Sequence, residues 1–342
     1  MPKYIGEKNY EHGSKEKIGI LITNLGTPDQ PNTKALKIYL KEFLSDPRVI
    51  ELPKFLWQII LRSFILQTRP KKSAATYKTI WTDQGSPLLD IANKQLIAIK
   101  KHFKETNQKV VIRLGMRYGN PSINSALIDL QKEQVRKLLV LPLYPQYCAA
   151  TTGSTFDAVS HALQKWRWVP EFRFINQYFE ETKYITALSN SIEKFWNQNG
   201  KPQKLIFSYH GIPKKYHLEG DPYHCFCLKT TRLVKEHLNL SDEEVMTTFQ
   251  SRFGSQEWLQ PYTDLTLKEL PNQGIKNIHI ISPGFSADCL ETLEELKVEN
   301  KNYFIDSGGE DYKYIPCLND SPEHVKFLVE LIIKNTQGWD YL

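Results

Sequence analysis

Residues 17–28 read KIGILITNLGTP. An Ile/Leu run too short to stand as a helix stops at Gly26-Thr27-Pro28, and from Thr33 to Leu44 the apolar residues resume at helical spacing. A continuous apolar strand without polar alternation is one covered on both faces, as strands of parallel sheets are. The same grammar recurs five times. Val110 to Leu114 stops at Gly115-Met116-Arg117-Tyr118-Gly119-Asn120-Pro121, with a helix over about Ser122 to Gln131. Leu138 to Leu143 stops at Tyr144-Pro145-Gln146-Tyr147, with a helix after Thr152. Lys204 to Ser208, Val245 to Phe249 and Asn277 to Ile281 stop at Tyr209-His210-Gly211-Ile212-Pro213, Gln250-Ser251-Arg252-Phe253-Gly254 and Ser282-Pro283-Gly284-Phe285. Helices are expected from Asp264 and from Asp288.

Strands alternating with helices specify a doubly wound α/β architecture. Three units precede residue 150 and three follow residue 200. A bridge containing Phe172 to Ile175 and an amphipathic stretch from Glu180 to Trp196 joins them. The expectation is two Rossmann-like domains, residues 1–170 and 171–342, facing a central cleft. The last helix, about Pro322 to Asn335, is free to pack back on the first domain. The length of 342 residues agrees with two domains. In open α/β sheets ligands bind beyond the carboxyl ends of the strands. All six ends here carry Gly or Pro beside a group capable of chemistry: Arg117, Tyr118, Tyr144, Tyr147, His210 or Arg252. Aromatics outnumber charges there, so a fairly large, partly apolar ligand is expected.

Composition excludes several classes. Aromatics at 12% are too many for a disordered chain. The longest apolar stretch, FLWQIILRSFIL at 55–66, is broken by Gln58, Arg62 and Ser63 and falls short of the roughly 20 residues of a spanning helix. Core packing or an exposed lip against a membrane surface or a greasy ligand both account for it. The net charge of +6 is scattered, unlike the one-faced charge of nucleic-acid binders. The opening MPKYIGEKNYEHGSKEK has no apolar segment of a secretory signal, and five cysteines read as reduced thiols, so a cytoplasmic protein is expected. No G-x-G-x-x-G or G-x-x-x-x-G-K-[ST] occurs, which argues against nucleotide cofactors.

Two constellations carry chemistry. His210 stands at a strand tip between Tyr209 and Gly211, where a neutral imidazole accepts a proton or ligates a metal. A lone histidine is more often a core or turn-capping residue, but the sharp Gly211/Pro213 exit and the strand-end position favour function here. His217 and His224, in the loop beyond, read as solvated. The second constellation runs from Pro283 to Glu299. Asp288 reads as a helix N-cap. Glu291, Glu295 and Glu299 stand at i, i+4, i+8, where like charges cost a structural helix about 0.2–0.5 kcal/mol per pair. Either they form a solvated face offset by Lys297 and Lys301, or they are a cation or proton path ending at Glu291; oxygen ligands in a row suit a hard divalent ion in passage. Cys225-Phe226-Cys227 is weak as a zinc site and reads as small buried hydrophobes. No nucleophile elbow accompanies Ser208.

Together Asn24-Leu25-Gly26-Thr27-Pro28, Leu143-Tyr144-Pro145-Gln146-Tyr147 with Thr151-Thr152-Gly153-Ser154, Ser208 to Pro213 with Gly220-Asp221-Pro222-Tyr223, Gln250 to Gly254 with Trp258-Leu259, and Pro283 to Leu293 resemble the ferrochelatases, nearest the bacterial protoporphyrin enzymes. The resemblance spans about Ile18 to Ile333. It implies a chelatase-like pair of domains and a lyase that inserts Fe²⁺ into protoporphyrin IX in haem synthesis. It places the catalytic and metal-contacting pair on His210 and Glu291, a metal path through Glu295 and Glu299 on a wide-turned helix, and porphyrin contacts on Leu25, Arg117, Tyr118, Tyr147 and Trp258. If the ligand is a porphyrin, its propionates call for cations, and Arg117 and Arg69 are the expected partners. Residues 55–66 become the cleft lip, suggesting a monomer in peripheral contact with the inner membrane face. Cys289 departs from the histidine that some members carry, so no metal relay is expected there. With no cysteine after Cys317, no [2Fe–2S] cluster is expected. Fe²⁺ is a substrate, and no nucleotide or nucleic acid is expected. Rival readings are a non-catalytic porphyrin or haem carrier and, from the residues alone, a hydrolase or transferase acting at His210 without a nucleophile or phosphate loop.

Overall fold

The computed structural model describes residues 4–7 and 10–339; the remaining residues of the polar opening, and 340–342, lie outside them. Along the chain the elements run β1 (Lys17–Thr27), α1 (Thr33–Leu44), α2 (Lys54–Ile60), α3 (Leu66–Ile80), α4 (Pro87–Glu105), β2 (Val110–Gly119), α5 (Ile123–Lys132), β3 (Val135–Pro142), α6 (Ser154–Leu163) and β4 (Glu171–Phe174). They continue α7 (Thr182–Asn199), β5 (Lys204–His210), α8 (Lys214–Leu218), α9 (Tyr223–His237), β6 (Val245–Gln250), α10 (Thr263–Glu269), β7 (Asn277–Ile281), α11 (Asn300–Asp306), β8 (Asp311–Tyr314) and α12 (Pro322–Asn335). Wider π-helical turns occupy Leu61–Ile65, Ala149–Gly153 and Glu291–Glu299.

The described residues separate into two compact units: those up to 143, with 149–176 and 325–339, form one, and residues 144–148 and 177–324 the other. Each is built on a four-stranded parallel sheet, in the orders β2-β1-β3-β4 and β6-β5-β7-β8. The expected three strands per domain are therefore one short in each. β4, EFRF, lies in the stretch read as a bridge, and β8, DYKY, has no apolar run. Both are four-residue edge strands, whose alternate residues face solvent and so carry no continuous apolar signature.

Inside the first unit, Leu21, Leu138 and Val140 of the sheet pack with Leu127 and Leu130 of α5. α5 starts where it does because Ser122 Oγ accepts the Ser125 N–H at 3.1 Å. In the second unit Ile206, Ile278 and Ile280 pack with Leu267, Leu296 and Phe304. Burial of such aliphatic side chains contributes roughly 1.5–3 kcal/mol each.

The shared strand order locates the functional edge. From β5 the chain crosses to β6 on one side, whereas from β7 it crosses to β8 on the other. The carboxyl ends of the neighbours β5 and β7 thus flank a topological switch point, the place where α/β sheets leave a crevice. β5 ends at His210, and the chain leaving β7 leads to Glu291. In the first sheet the corresponding neighbours are β1 and β3, whose ends lead to Leu25-Gly26 and to Tyr144.

Candidate active site

In the second unit, β5 delivers His210, half-buried, at the last rung of the ladder, opposite Gln250 of β6. The rung is extended by the Gly211 N–H, which donates to the Gln250 carbonyl at 2.7 Å. Only glycine allows this approach. A Cβ on Gly211 would lie 2.9 Å from that carbonyl oxygen and 3.2 Å from Trp258 Cε3. His210 Nδ1 is 2.7 Å from the Gly211 carbonyl, which only accepts. The proton of a neutral imidazole therefore sits on Nδ1, and the lone pair is left on Nε2.

Gln250 is the hub that sequence reading passed over. Its carboxamide is buried; Oε1 accepts from Ser208 Oγ at 2.8 Å, and Nε2 donates to the Glu291 carbonyl at 3.0 Å and to Glu295 Oε2 at 3.3 Å. One side chain thus ties the histidine strand to the glutamate helix. Ser208 in turn meets Thr263 Oγ1 at 2.9 Å and its carbonyl accepts from Ser282 Oγ at 2.6 Å, so it is a structural serine. The signal available in advance was Gln250's place at a strand end inside Gln250-Ser251-Arg252-Phe253-Gly254. Ser251 has φ of +66°, a left-handed conformation uncommon outside glycine, and its hydroxyl donates to Glu295.

The acidic line begins half-buried and ends in solvent: Glu291 and Glu295 are partly covered, while Glu299 is exposed and accepts from Tyr303 OH at 2.7 Å. Burial pushes the Glu295 carboxyl above the ordinary glutamate range, against the Ser251 hydroxyl and the His210 charge that draw it down; the Glu291 charge adds to the rise. The helix that carries the line is π-helical, with i→i+5 hydrogen bonding, a form that tends to mark functional sites. Asp288 is not its N-cap. The π-helix starts at Glu291, and the Asp288 carboxylate instead accepts from Tyr314 OH at 2.5 Å, Asn319 Nδ2 at 2.7 Å and Thr292 Oγ1 at 3.0 Å, joining the helix approach to β8 and the loop behind it. Cys289 is buried, and burial pushes its thiol well up.

Trp258 is buried against the rim, its indole N–H donating to the Phe253 carbonyl at 2.9 Å, and it bridges to Pro213. Tyr147 is half-buried at the edge of the same unit. His217 and His224, read as solvated, are half-buried with ring centroids 4.9 Å apart, and the exposed Cys225 joins them, whereas Cys227 is fully buried. The two cysteines of the C-x-C therefore face different surroundings.

In the first unit, Leu25 is half-buried at the end of β1. The next residue, Gly26, has φ of +107° and faces the Tyr118 carbonyl so closely that a Cβ would lie 1.7 Å from it. Arg117 and Tyr118 share one network with the buried Asp46. Arg117 donates to Asp46 and, through Nε, to Ser154 Oγ at 2.6 Å; Tyr118 OH donates to Asp46 Oδ2 at 2.8 Å, and Ser154 Oγ donates to the same oxygen at 2.5 Å. Burial alone would raise Asp46; the donors Ser154, the Arg48 N–H and Tyr118, with the Arg117 charge, hold it below the usual carboxylate range. Tyr118 has no exposed surface. Residues 55–66 expose Phe55, Leu56, Ile59, Ile60 and Phe64 and bury Trp57, Leu61 and Leu66, so one face is core and the other is bare. Arg69 is exposed on α3. Among the described residues no helix is long and apolar enough to cross a membrane.

A family model described as Ferrochelatase matches residues 17–336. A ferrochelatase of Marinobacter nauticus is 55% identical over 99% of this chain and 92% of its own. One of Idiomarina loihiensis is 54% identical over 98% and 93%. Among solved structures, SirB from Bacillus subtilis with Fe³⁺ aligns with 95% of this chain and all of its own at a TM-score of 0.57 and 12% identity, which shows a common chelatase fold.

Proposed function

Because the chain belongs to the ferrochelatase family, enzymes that insert Fe²⁺ into a porphyrin, we propose that it converts protoporphyrin IX to protohaem with His210 and Glu291 at the reacting centre. Porphyrin and ferrous iron are its substrates. The observation that supports these residue roles is the Gln250 carboxamide, which binds the helix of Glu291 and Glu295 beside the strand that ends in His210.

The reaction exchanges one Fe²⁺ for the two pyrrole N–H protons. A flat macrocycle points those protons at one another, so a site that bends it turns the nitrogen lone pairs toward the metal, using binding energy from the rest of the ring. His210, with its lone pair on Nε2, accepts a pyrrole proton. Glu291 supports the resulting imidazolium and meets the incoming metal. Glu295 and Glu299 extend the acidic row to solvent and carry the cation inward. The raised Glu295 carboxyl accepts a proton readily, so the same row passes protons out as iron passes in.

Leu25 and Trp258 supply apolar contact to the ring and Tyr147 its edge. Arg117 is the propionate partner in the first unit. Tyr118, closed off from solvent, holds Asp46 and through it Arg117 rather than touching the ring. Arg69 is a second cation for the carboxylates. The bare face of 55–66 rests against the inner membrane surface, an apolar source of porphyrin, and the protein works there as a cytoplasmic monomer without cluster or nucleotide.

The test is anaerobic incubation of purified protein with Fe²⁺ and protoporphyrin IX, and in parallel coproporphyrin, followed by absorbance. The native protein should give many turnovers with protoporphyrin; a carrier would shift the spectrum once and stop. General acid–base groups contribute about 10²–10⁴-fold, so His210→Ala should lose at least about 100-fold in kcat. Near-normal kcat in that variant would remove His210 from the mechanism.

A further inference from the structure

The loop beyond His210 gathers a second set of side chains of metal-ligating type, apart from the residues given roles in the porphyrin reaction. α8 ends just after His217, a four-residue turn follows, and α9 opens with Tyr223, His224 and Cys225. The turn is closed by two backbone bonds, Gly220 N–H to the His217 carbonyl at 3.1 Å and Asp221 N–H to the Tyr216 carbonyl at 3.0 Å, and by the Asp221 side chain, whose Oδ1 accepts from the Tyr223 N–H at 3.0 Å. Gly220, at φ of +106°, makes the reversal. The result brings residues seven and eight positions apart together: one ligand atom each of His217, His224 and Cys225 lies within 4.8 Å of the other two.

We propose that His217, His224 and Cys225 form a second metal site, for one borderline divalent transition ion of the Zn²⁺ or Co²⁺ type, with water as the fourth ligand. Two imidazoles and a thiolate are the donors such ions prefer over carboxylate sets, and three protein ligands leave the fourth position open. Tetrahedral bonds of about 2.0–2.1 Å to nitrogen and 2.3 Å to sulfur require donors roughly 3.3–3.7 Å apart. The trio must therefore tighten by at most about 1.5 Å, through rotation of the two half-buried imidazoles and the exposed Cys225 side chain. The outer arrangement fits as well. His217 Nδ1 faces the Asp221 carbonyl at 3.4 Å, a contact that orients the ring and leaves Nε2 for the metal, as carbonyls behind ligating histidines do. His224 packs against the Phe249 ring at 5.4 Å, which limits its swing. Cys225 sits in the first turn of α9, one residue after His224, so both face the turn that carries His217. Cys227, fully buried, takes no part. None of the three ligands is His210 or Glu291, so the site stands or falls separately from the chelation reaction.

The experiment titrates reduced, metal-free, full-length protein with Co²⁺ alone, without porphyrin. The expected result is one equivalent showing visible ligand-field bands of tetrahedral Co²⁺ and a near-ultraviolet thiolate charge-transfer band, present also in His210→Ala. Cys225→Ser should abolish the charge-transfer band. His217→Ala and His224→Ala should each weaken binding beyond the roughly 10–100-fold typical of losing a group that only hydrogen-bonds to a ligand. A second measurement covers the case of a variant that misfolds: in the His210→Ala background, which removes the reaction's own metal contact, Zn²⁺ should raise the Tm, and adding Cys225→Ser should take away most of that rise, because a bound ion stabilises the fold. Absence of a thiolate band, its survival in Cys225→Ser, or unchanged affinity in both histidine variants overturns the proposal.

Discussion

Gly211→Ala is the sharpest probe of the site because the glycine is required by space alone. Its backbone is not in the left-handed region, so alanine brings no torsional strain, only a methyl group. That methyl would stand 2.9 Å from the Gln250 carbonyl oxygen, 0.5 Å inside the 3.4 Å at which ordinary contact begins, and 3.2 Å from Trp258 Cε3. The oxygen cannot retreat without lengthening the 2.7 Å bond from the Gly211 N–H, and the indole is held by its own bond to the Phe253 carbonyl. Overpacking of this kind costs about 1–3 kcal/mol. The local effect is larger than the global one, because the Gly211 carbonyl also holds His210 Nδ1. A 1 Å misplacement can cost about 100-fold in rate, so a half-ångström shift of the imidazole should cost about tenfold in kcat. Steady-state metalloporphyrin formation and a thermal melt on the same preparation measure both. The expected outcome is a Tm lowered by a few degrees with kcat down about tenfold. Native kcat together with a native Tm would refute the claim that strand-end crowding sets the histidine's position.

Three further outcomes follow from the buried groups. His279, at the centre of β7, is lowered from its ordinary 6.5 to about 4 by burial, and neither ring nitrogen has a hydrogen-bond partner. The unfolded chain takes up its proton below pH 6.5 and the folded one only near pH 4, so stability falls across that window by about 3 kcal/mol at roughly 1.4 kcal/mol per unit. His279→Leu should flatten that part of the urea-denaturation profile; an unchanged acid slope would contradict the assignment. Glu295 runs in the opposite sense: its raised carboxyl contributes stability below the ordinary glutamate range and loses it as pH rises through the higher folded value. Glu295→Gln should therefore raise Tm at neutral pH, with the gain shrinking on acidification, and a pH-independent gain would count against burial as the cause. Tyr118→Phe removes one bond to the buried Asp46 carboxylate and should cost about 1.5–3 kcal/mol, read by denaturant unfolding; no loss would mean that Arg117 and Ser154 suffice.

Much of both units was legible in the sequence. β7 and α1 fall where the apolar run and the helical spacing put them, and His210 stands at a strand end because a continuous apolar run followed by Gly and Pro has no other reading. β4 and β8 were missed for the opposite reason: an edge strand of four residues needs no apolar face, so EFRF and DYKY look like loop. Asp288 was misassigned because a carboxylate before a helix has the same local signature whether it caps that helix or holds Tyr314 and Asn319 from elsewhere.

The sequence by itself determined the period of the elements, the chemistry available at each strand end and the family, since these depend on residues near one another along the chain. Tertiary structure alone decided the partners. Gln250 reaches Glu291 and Glu295 across 41 and 45 positions, and Asp46 gathers Arg117, Tyr118 and Ser154 across more than 70. Which buried acceptor meets which donor is set by how strands register and helices pack, and a polar group out of water takes whatever partner that packing brings. Even His217, His224 and Cys225, close in sequence, became a group only when the turn at Gly220 folded one helix against the next.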